Sequence, residues 1–284
     1  MPMKCNLCPN NCNTDRTLKT GACLADGKIR VAYSGLHMWE EPVISGTAGS
    51  GAVFFSGCTM RCVYCQNKKI SRFPTGKAYT PEALAALFEE LDNTAHNINL
   101  VSPTPYLEGI ISALDIYKPS NPVIMNTGGY EKPETVKKLK GYVNVFLPDL
   151  KYVDSGISTA LSGKSDYFKY AFDAISQMIE QTGKPVTEGG LIKSGVIVRH
   201  LIIPSYIENT LEVLRVFADN FKDKAYLSLM AQYTPVGVEN LPRINRKITP
   251  LEYKRALAEL GTLGIKNGFV QELSSADVSF IPDF

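Results

Sequence analysis

The segment Gly57-Cys58-Thr59-Met60-Arg61-Cys62-Val63-Tyr64-Cys65-Gln66-Asn67 limits what this chain can fold into more than any other stretch. Its three cysteines stand in the spacing C-x3-C-x2-C, directly after the apolar run Ala52-Val53-Phe54-Phe55. That run reads as a buried strand, so the cysteines lie on a loop leaving a strand end. Two uses of such a loop are common inside cells: a zinc site and an iron–sulfur cluster. Structural zinc takes four closed ligands, whereas this loop offers three with no histidine beside them. A four-iron cluster held by three thiolates leaves one iron open to an outside ligand.

With 284 residues, 44% of them hydrophobic, the chain can bury a large core. A (β/α) barrel of roughly 200–250 residues would use most of that length. Thirty basic and 28 acidic residues leave a net charge of +2, which gives no pull toward nucleic acid or a membrane surface. No apolar stretch approaches the roughly 18 residues of a spanning helix. Met1-Pro2-Met3-Lys4-Cys5 does not open like a signal peptide. All seven cysteines fall within the first 65 residues and divide into four and three. That division suits metal ligation in a reducing compartment better than disulfides, so a cytoplasmic protein is expected.

Residues 1–30 form a cysteine-rich leader with the spacing Cys5-x2-Cys8-x3-Cys12-x10-Cys23. Its other residues are mostly Asn, Thr, Asp and Gly, too polar for a core, and such a module generally needs a metal to stay folded. Four thiolates at these spacings suit zinc, a rubredoxin-type single iron or an auxiliary iron–sulfur cluster, and the spacing does not choose among them. From Gly27 to Gly51 the chain reads as linker, with turns at Trp39-Glu40-Glu41-Pro42 and through Ser45-Gly46-Thr47-Ala48-Gly49-Ser50-Gly51.

Residues 50–284 alternate strand and helix signals. Thr80-Pro81-Glu82 starts a helix with Leu84, Leu87, Phe88 and Leu91 on one face, and Thr249-Pro250-Leu251-Glu252 opens another with a capping box. Strands are predicted at 98–101, 122–125, 143–147, 196–203 and 225–230, with a short one at Phe269-Val270-Gln271. Such alternation argues for βαβ units and a parallel sheet.

The C-x3-C-x2-C loop, with Tyr64 before its third cysteine, resembles the signature of the radical S-adenosylmethionine (SAM) superfamily. Tyr64-Cys65-Gln66-Asn67 is similar to the pyruvate formate-lyase activating enzyme branch, which reads Tyr-Cys-His-Asn there. The resemblance implies a partial (β/α)6 TIM-like barrel with a 4Fe-4S cluster on Cys58, Cys62 and Cys65. SAM would chelate the open iron, and an electron from a flavodoxin- or ferredoxin-like donor would cleave it to methionine and a 5′-deoxyadenosyl radical.

In barrels the chemistry sits at the C-terminal strand ends, and the resemblance assigns candidates there. Asn126 and Thr127 fall where SAM-contacting residues are expected. Pro148-Asp149-Leu150-Lys151 resembles the Leu-Asp-Leu-Lys motif, and Asp149 and Lys151 point to the same side of an extended strand end. Arg199, inside an apolar strand, needs an anionic partner and is expected to face the SAM carboxylate. His200 should point the other way, into packing. Tyr64 is expected against the adenine, with Asn67 beside it. Where the family carries Gly-Gly-Glu to receive the SAM amino group, this chain has Ser102-Pro103-Thr104-Pro105. The hydroxyls of Ser102 and Thr104 accept from an ammonium more weakly than a carboxylate does, with Asn97 and Asn99 as further candidates.

The implied activity is that of a radical SAM oxidoreductase abstracting hydrogen, with the glycine Cα of a glycyl radical enzyme as one target. The alternatives are modification of a small molecule or peptide, and a non-catalytic zinc or iron–sulfur protein.

Overall fold

Residues 29–37, expected as linker, instead form a nine-residue strand, β1 (Ile29–His37). After it come α1 (Pro42–Ser45), β2 (Ser50–Phe55), α2 (Lys68–Ser71) and β3 (Lys77–Tyr79). Strand β1 pairs antiparallel with β2 and with β3, placing Val31 opposite Phe55 and Ile29 opposite Tyr79. Its buried Ile29 and Val31 alternate with half-buried Arg30 and Ala32, the period of a strand with one covered face. The computed structural model describes residues 4–73 and 75–276, so residues 1–3 of the leader and 277–284 of the expected barrel domain lie outside them.

The remaining elements alternate. They are α3 (Pro81–Asp92), β4 (Ile98–Val101), α4 (Leu107–Ile116), β5 (Val123–Thr127), α5 (Pro133–Lys137), β6 (Val145–Pro148), α6 (Ser155–Ser162) and α7 (Tyr167–Thr182). Then follow β7 (Val186–Glu188), β8 (Leu191–Leu201), α8 (Ile207–Asn220), β9 (Tyr226–Met230), α9 (Pro250–Thr262) and β10 (Gly268–Val270). The helix starts at Thr80 and Thr249 are as expected: each hydroxyl accepts a backbone N–H at 3.2 Å, from Ala83 and Glu252 respectively.

Strands β2, β4, β5, β6, β8, β9 and β10 neighbour one another in that order, each parallel to the next. Because each parallel strand lies beside the next parallel strand of the chain, with β3 and β7 paired antiparallel outside this run, the sheet winds in one direction, as a partial barrel does. Strands β2, β4, β5 and β6 are buried along their whole length, as parallel strands covered on both faces must be. Outer helices supply the cover, α7 through Ala171, Ala174, Ile175 and Met178 and α8 through Val213, Leu214 and Phe217. The short strand β10 adds one unit beyond six, ending before Gln271.

The leader docks on the C-terminal strand ends. Thr135 Oγ1 donates to Leu7 O at 2.7 Å, Asn10 Nδ2 donates to Thr59 O at 3.0 Å, and the Cys58 N–H donates to Cys23 O at 3.1 Å. Among the described residues no helix is long and apolar enough to cross a membrane.

Candidate active site

The three cysteines of the loop after β2 are free thiols, with Cys62 buried and Cys58 and Cys65 half-buried. The loop turns through two left-handed residues, Gly57 at φ +84° and Arg61 at φ +52°. For a residue with a side chain that conformation costs about 1–2 kcal/mol, offset here by the loop's other contacts. Each sulfur has a donor: the Met60 N–H reaches Cys58 Sγ at 3.4 Å, Ser162 Oγ reaches Cys62 Sγ at 3.1 Å, and Ser71 Oγ reaches Cys65 Sγ at 3.5 Å. Burial pushes the Cys58 thiol up to about 12, and burial followed by Cys62 raises the Cys65 thiol. A bound metal would supply the charge that lets such buried thiols ionise. Three sulfurs lining one cavity, each with a donor ready for a thiolate, fit a cluster held by three thiolates.

These sulfurs face a cavity at the strand ends. Tyr64 and Asn67 line it from the same loop, Ser102 follows β4, Asn126 and Thr127 end β5, Asp149 and Lys151 follow β6, and Arg199 lies in β8. Thr104 does not line the cavity. Its hydroxyl donates to Glu131 Oε1 at 2.6 Å, and Thr127 Oγ1 donates to the same oxygen at 2.5 Å. Burial raises the Glu131 carboxyl to about 7 despite both donors. The Thr104 and Thr127 hydroxyls thus serve a buried acid of the chain itself, which places Thr104 away from the cavity it was expected to line, while Thr127 lines the cavity with its hydroxyl turned to Glu131.

Arg199 finds its anionic partners within the chain. Its Nε donates to Asp149 Oδ1 at 3.1 Å, its Nη1 lies 3.5 Å from Glu40 Oε2, and Nη2 donates to Asn126 Oδ1 at 2.5 Å. Lys151 pairs with the other oxygen of Asp149, as their shared side of the strand end predicts. Burial by itself would raise the Asp149 carboxyl, but Lys151 and Arg199 outweigh it and hold the group below its ordinary range. His200 points away from the cavity, bonded to Leu150 O at 2.7 Å and Thr210 Oγ1 at 3.0 Å.

Glu40 was not singled out from the sequence. It lies in the Trp39-Glu40-Glu41-Pro42 stretch expected to be a turn, yet it lines the cavity beside Arg199. Asn99 Nδ2 donates to Glu40 Oε1 at 2.9 Å and Asn126 Nδ2 at 3.3 Å. Asn99 therefore orients a carboxylate rather than a ligand, while Asn97 is structural, bonding Ser50 Oγ at 2.6 Å and Ile44 O at 2.8 Å. Tyr64 lies with its ring centroid 5.9 Å from that of Tyr233 and its hydroxyl 2.6 Å from Tyr152 Oη.

In the leader, Cys8 and Cys23 are buried and Cys5 and Cys12 half-buried, all free. Burial raises the Cys23 thiol, and Cys5 and Cys12 are close enough to raise it further. Among the described residues no three His, Cys, Asp or Glu side chains are gathered tightly enough for a single metal ion.

The pattern of the Radical SAM superfamily matches residues 52–214, from β2 into α8. An uncharacterized protein of Methanocaldococcus jannaschii is 31% identical over 267 residues, spanning 89% of this chain and 73% of its own. The pyruvate formate-lyase-activating enzyme of Clostridium pasteurianum is 25% identical over 222 residues, spanning 75% of this chain and 84% of its own. Among solved structures, a radical SAM methyltransferase from Sphaerobacter thermophilus superposes with a TM-score of 0.52 at 14% identity, covering 78% of this chain and 66% of that one. Methylornithine synthase superposes with a TM-score of 0.51 at 16% identity, covering 78% and 70%. The chain belongs to the radical SAM superfamily and is an enzyme that uses an iron–sulfur cluster and SAM.

Proposed function

We propose that this radical SAM enzyme abstracts hydrogen from a glycine Cα of a partner polypeptide, as a glycyl radical enzyme activase. The observation that carries the reading is the Asp149–Lys151 pair at the mouth of β6, in the Pro148-Asp149-Leu150-Lys151 run that resembles the activase motif. Similarity to the Clostridium pasteurianum activating enzyme supports it. When bound, the cluster and SAM supply the 5′-deoxyadenosyl radical, and the chain's share is to hold and aim them.

Cys58, Cys62 and Cys65 hold the cluster, leaving one iron for SAM. Lys151 and Arg199 are the cations that face the SAM carboxylate. Glu40 replaces the missing Gly-Gly-Glu carboxylate and receives the ammonium, with Ser102 beside it. Tyr64 and Asn67 flank the nucleoside, and Asn126 keeps Arg199 and Glu40 in register. The leader cysteines Cys5, Cys8, Cys12 and Cys23 are the second metal site of this reading, for zinc, a rubredoxin-type iron or an auxiliary cluster, and a single ion there would have to draw their sulfurs closer together than they lie here. A flavodoxin- or ferredoxin-like donor supplies the electron.

Anaerobic protein is counted for iron and zinc, reduced with SAM, and assayed for 5′-deoxyadenosine. About four irons and product formation are expected, with cleavage lost in Cys58→Ala. Addition of a glycyl radical enzyme then gives a glycyl EPR signal if the activase reading holds. Product without that signal in any such partner favours a second reading, a small polar substrate. The polar residues around Arg199 inside the cavity support that alternative.

A further inference from the structure

Helix α6 carries four hydroxyl residues, and the last of them behaves differently from Ser158 and Thr159. Ser158 and Thr159 bond back to the Ser155 carbonyl at 3.1 and 2.6 Å, the usual use of a hydroxyl inside a helix. Ser162, the last residue of the helix, points its hydroxyl at Cys62 Sγ, 3.1 Å away. The geometry is held from the backbone as well, because the Val63 N–H donates to Leu161 O at 2.9 Å and ties the cysteine loop to this helix end.

Behind Ser162 the hydroxyls continue. Tyr152 Oη lies 2.8 Å from Ser162 Oγ, and Tyr64 Oη lies 2.6 Å from Tyr152 Oη, all of it buried. A cysteine sulfur bound to iron carries no proton, so Ser162 must donate to it. With its single proton committed, Ser162 accepts from Tyr152, and Tyr152 in turn accepts from Tyr64. The cluster end alone therefore orients the whole chain, and aligned hydrogen bonds polarise one another. The donors to Cys58 and Cys65 are longer, at 3.4 and 3.5 Å, and among the described residues no such run of hydroxyls stands behind either of them.

We propose that the hydroxyl run Tyr64–Tyr152–Ser162 raises the reduction potential of the cluster through its hydrogen bond to the Cys62 sulfur. The physical cause is electrostatic: the positive end of an O–H dipole stabilises the reduced cluster, which carries one more electron, more than the oxidised one. Ser162 and Tyr152 are positioning residues, since they act on the cluster through Cys62. Because Tyr64 also lines the cavity, the same run couples what occupies the cavity to the electron affinity of the cluster. The proposal rests on the reading of Cys58, Cys62 and Cys65 as cluster ligands.

The test is an EPR-monitored redox titration of full-length, anaerobically reconstituted protein, with dithionite as electron source. Ser162→Ala is expected to keep the wild-type iron content and to shift the midpoint to more negative potential. Tyr152→Phe is expected to shift it the same way by less, and Ser162→Thr, which keeps the hydroxyl, to restore it. A Ser162→Ala protein with a full cluster and an unshifted midpoint overturns the proposal. If Ser162→Ala does not hold its cluster, Tyr152→Phe decides, because it leaves the Ser162 donor in place: a negative shift supports the proposal and an unshifted midpoint overturns it. Wild-type protein that binds no iron fails the cluster reading itself, and the proposal with it.

Discussion

Arg199 and Lys151 flank one buried carboxylate, that of Asp149, and the Nε of Arg199 reaches it from 50 residues away at 3.1 Å. Removing the carboxylate leaves two buried cations with too little compensation. Asp149→Asn is expected to cost about 3–5 kcal/mol, roughly 10 °C in Tm by calorimetry. The exposed Arg215–Glu212 pair at 2.7 Å is the control, where Glu212→Ala is expected to leave Tm nearly unchanged. Equal losses in the two variants would mean that the Asp149 site is open to water.

Of the carboxylates lining the cavity among the described residues, Asp149 is taken up by Lys151 and Arg199, which makes Glu40 the proposed acceptor for the SAM ammonium in place of Gly-Gly-Glu. Glu40→Gln keeps an oxygen for Asn99 and Asn126 and removes only the charge. Affinity for S-adenosylhomocysteine is expected to fall roughly 10- to 100-fold by calorimetric titration. Affinity for its deaminated analogue is expected to stay unchanged. Equal weakening of both ligands would assign Glu40 to holding Arg199 and not to the ammonium.

The cysteine loop, the helix starts at Thr80 and Thr249 and the charged strand ends were legible because each is a local pattern with one dominant physical cause. The site's second carboxylate was not. Glu40 meets Asn99 across 59 residues of chain, and what carries it there is the pairing of β1 with β2, which glycine-rich surroundings masked. The buried alternation of Ile29 and Val31 was the available signal. The hydroxyls of Thr104 and Thr127 illustrate the opposite case: position at a strand end implies a ligand role, whereas Glu131, a nearby buried acid, takes both hydroxyls and only Thr127 lines the cavity.

His200 is fully buried and neutral, with its pKa lowered to about 4 by burial. The unfolded chain takes up the proton near 6.5 while the folded chain refuses it. Stability from this group is therefore complete above pH 6.5 and lost as pH falls toward 4, by up to about 3 kcal/mol. In urea titrations, the stability difference between wild type and His200→Gln is expected to shrink from pH 7.5 to pH 4.5. A difference that stays constant across that window refutes a neutral buried imidazole.

Glu131 has the opposite sign. Its folded carboxyl is raised to about 7 by burial, so its stability is complete below the unfolded value near 4.5 and lost as pH rises through 7. Glu131→Gln keeps the acceptor for Thr104 and Thr127 and cannot ionise. Relative to wild type, the variant is expected to gain up to about 3 kcal/mol between pH 4.5 and pH 8. A gain of the same size at both ends would mean that Glu131 is ionised throughout.

Gly57 tests how firmly the leader is joined to the barrel. It sits at φ +84°, and a Cβ there would lie 2.6 Å from the Cys23 carbonyl oxygen, the acceptor of the Cys58 N–H. Gly57→Ala must therefore separate the leader from the cysteine loop. Gly141 shares the conformation, at φ +86°, but a Cβ there meets nothing within 4 Å. Gly141→Ala carries the left-handed backbone cost alone, about 1–2 kcal/mol. Gly57→Ala is expected to lose more than that and to expose the leader to limited proteolysis, with the barrel itself protected. Equal losses and equal protection in the two variants would mean that the Cys23–Cys58 contact does not hold the leader in place.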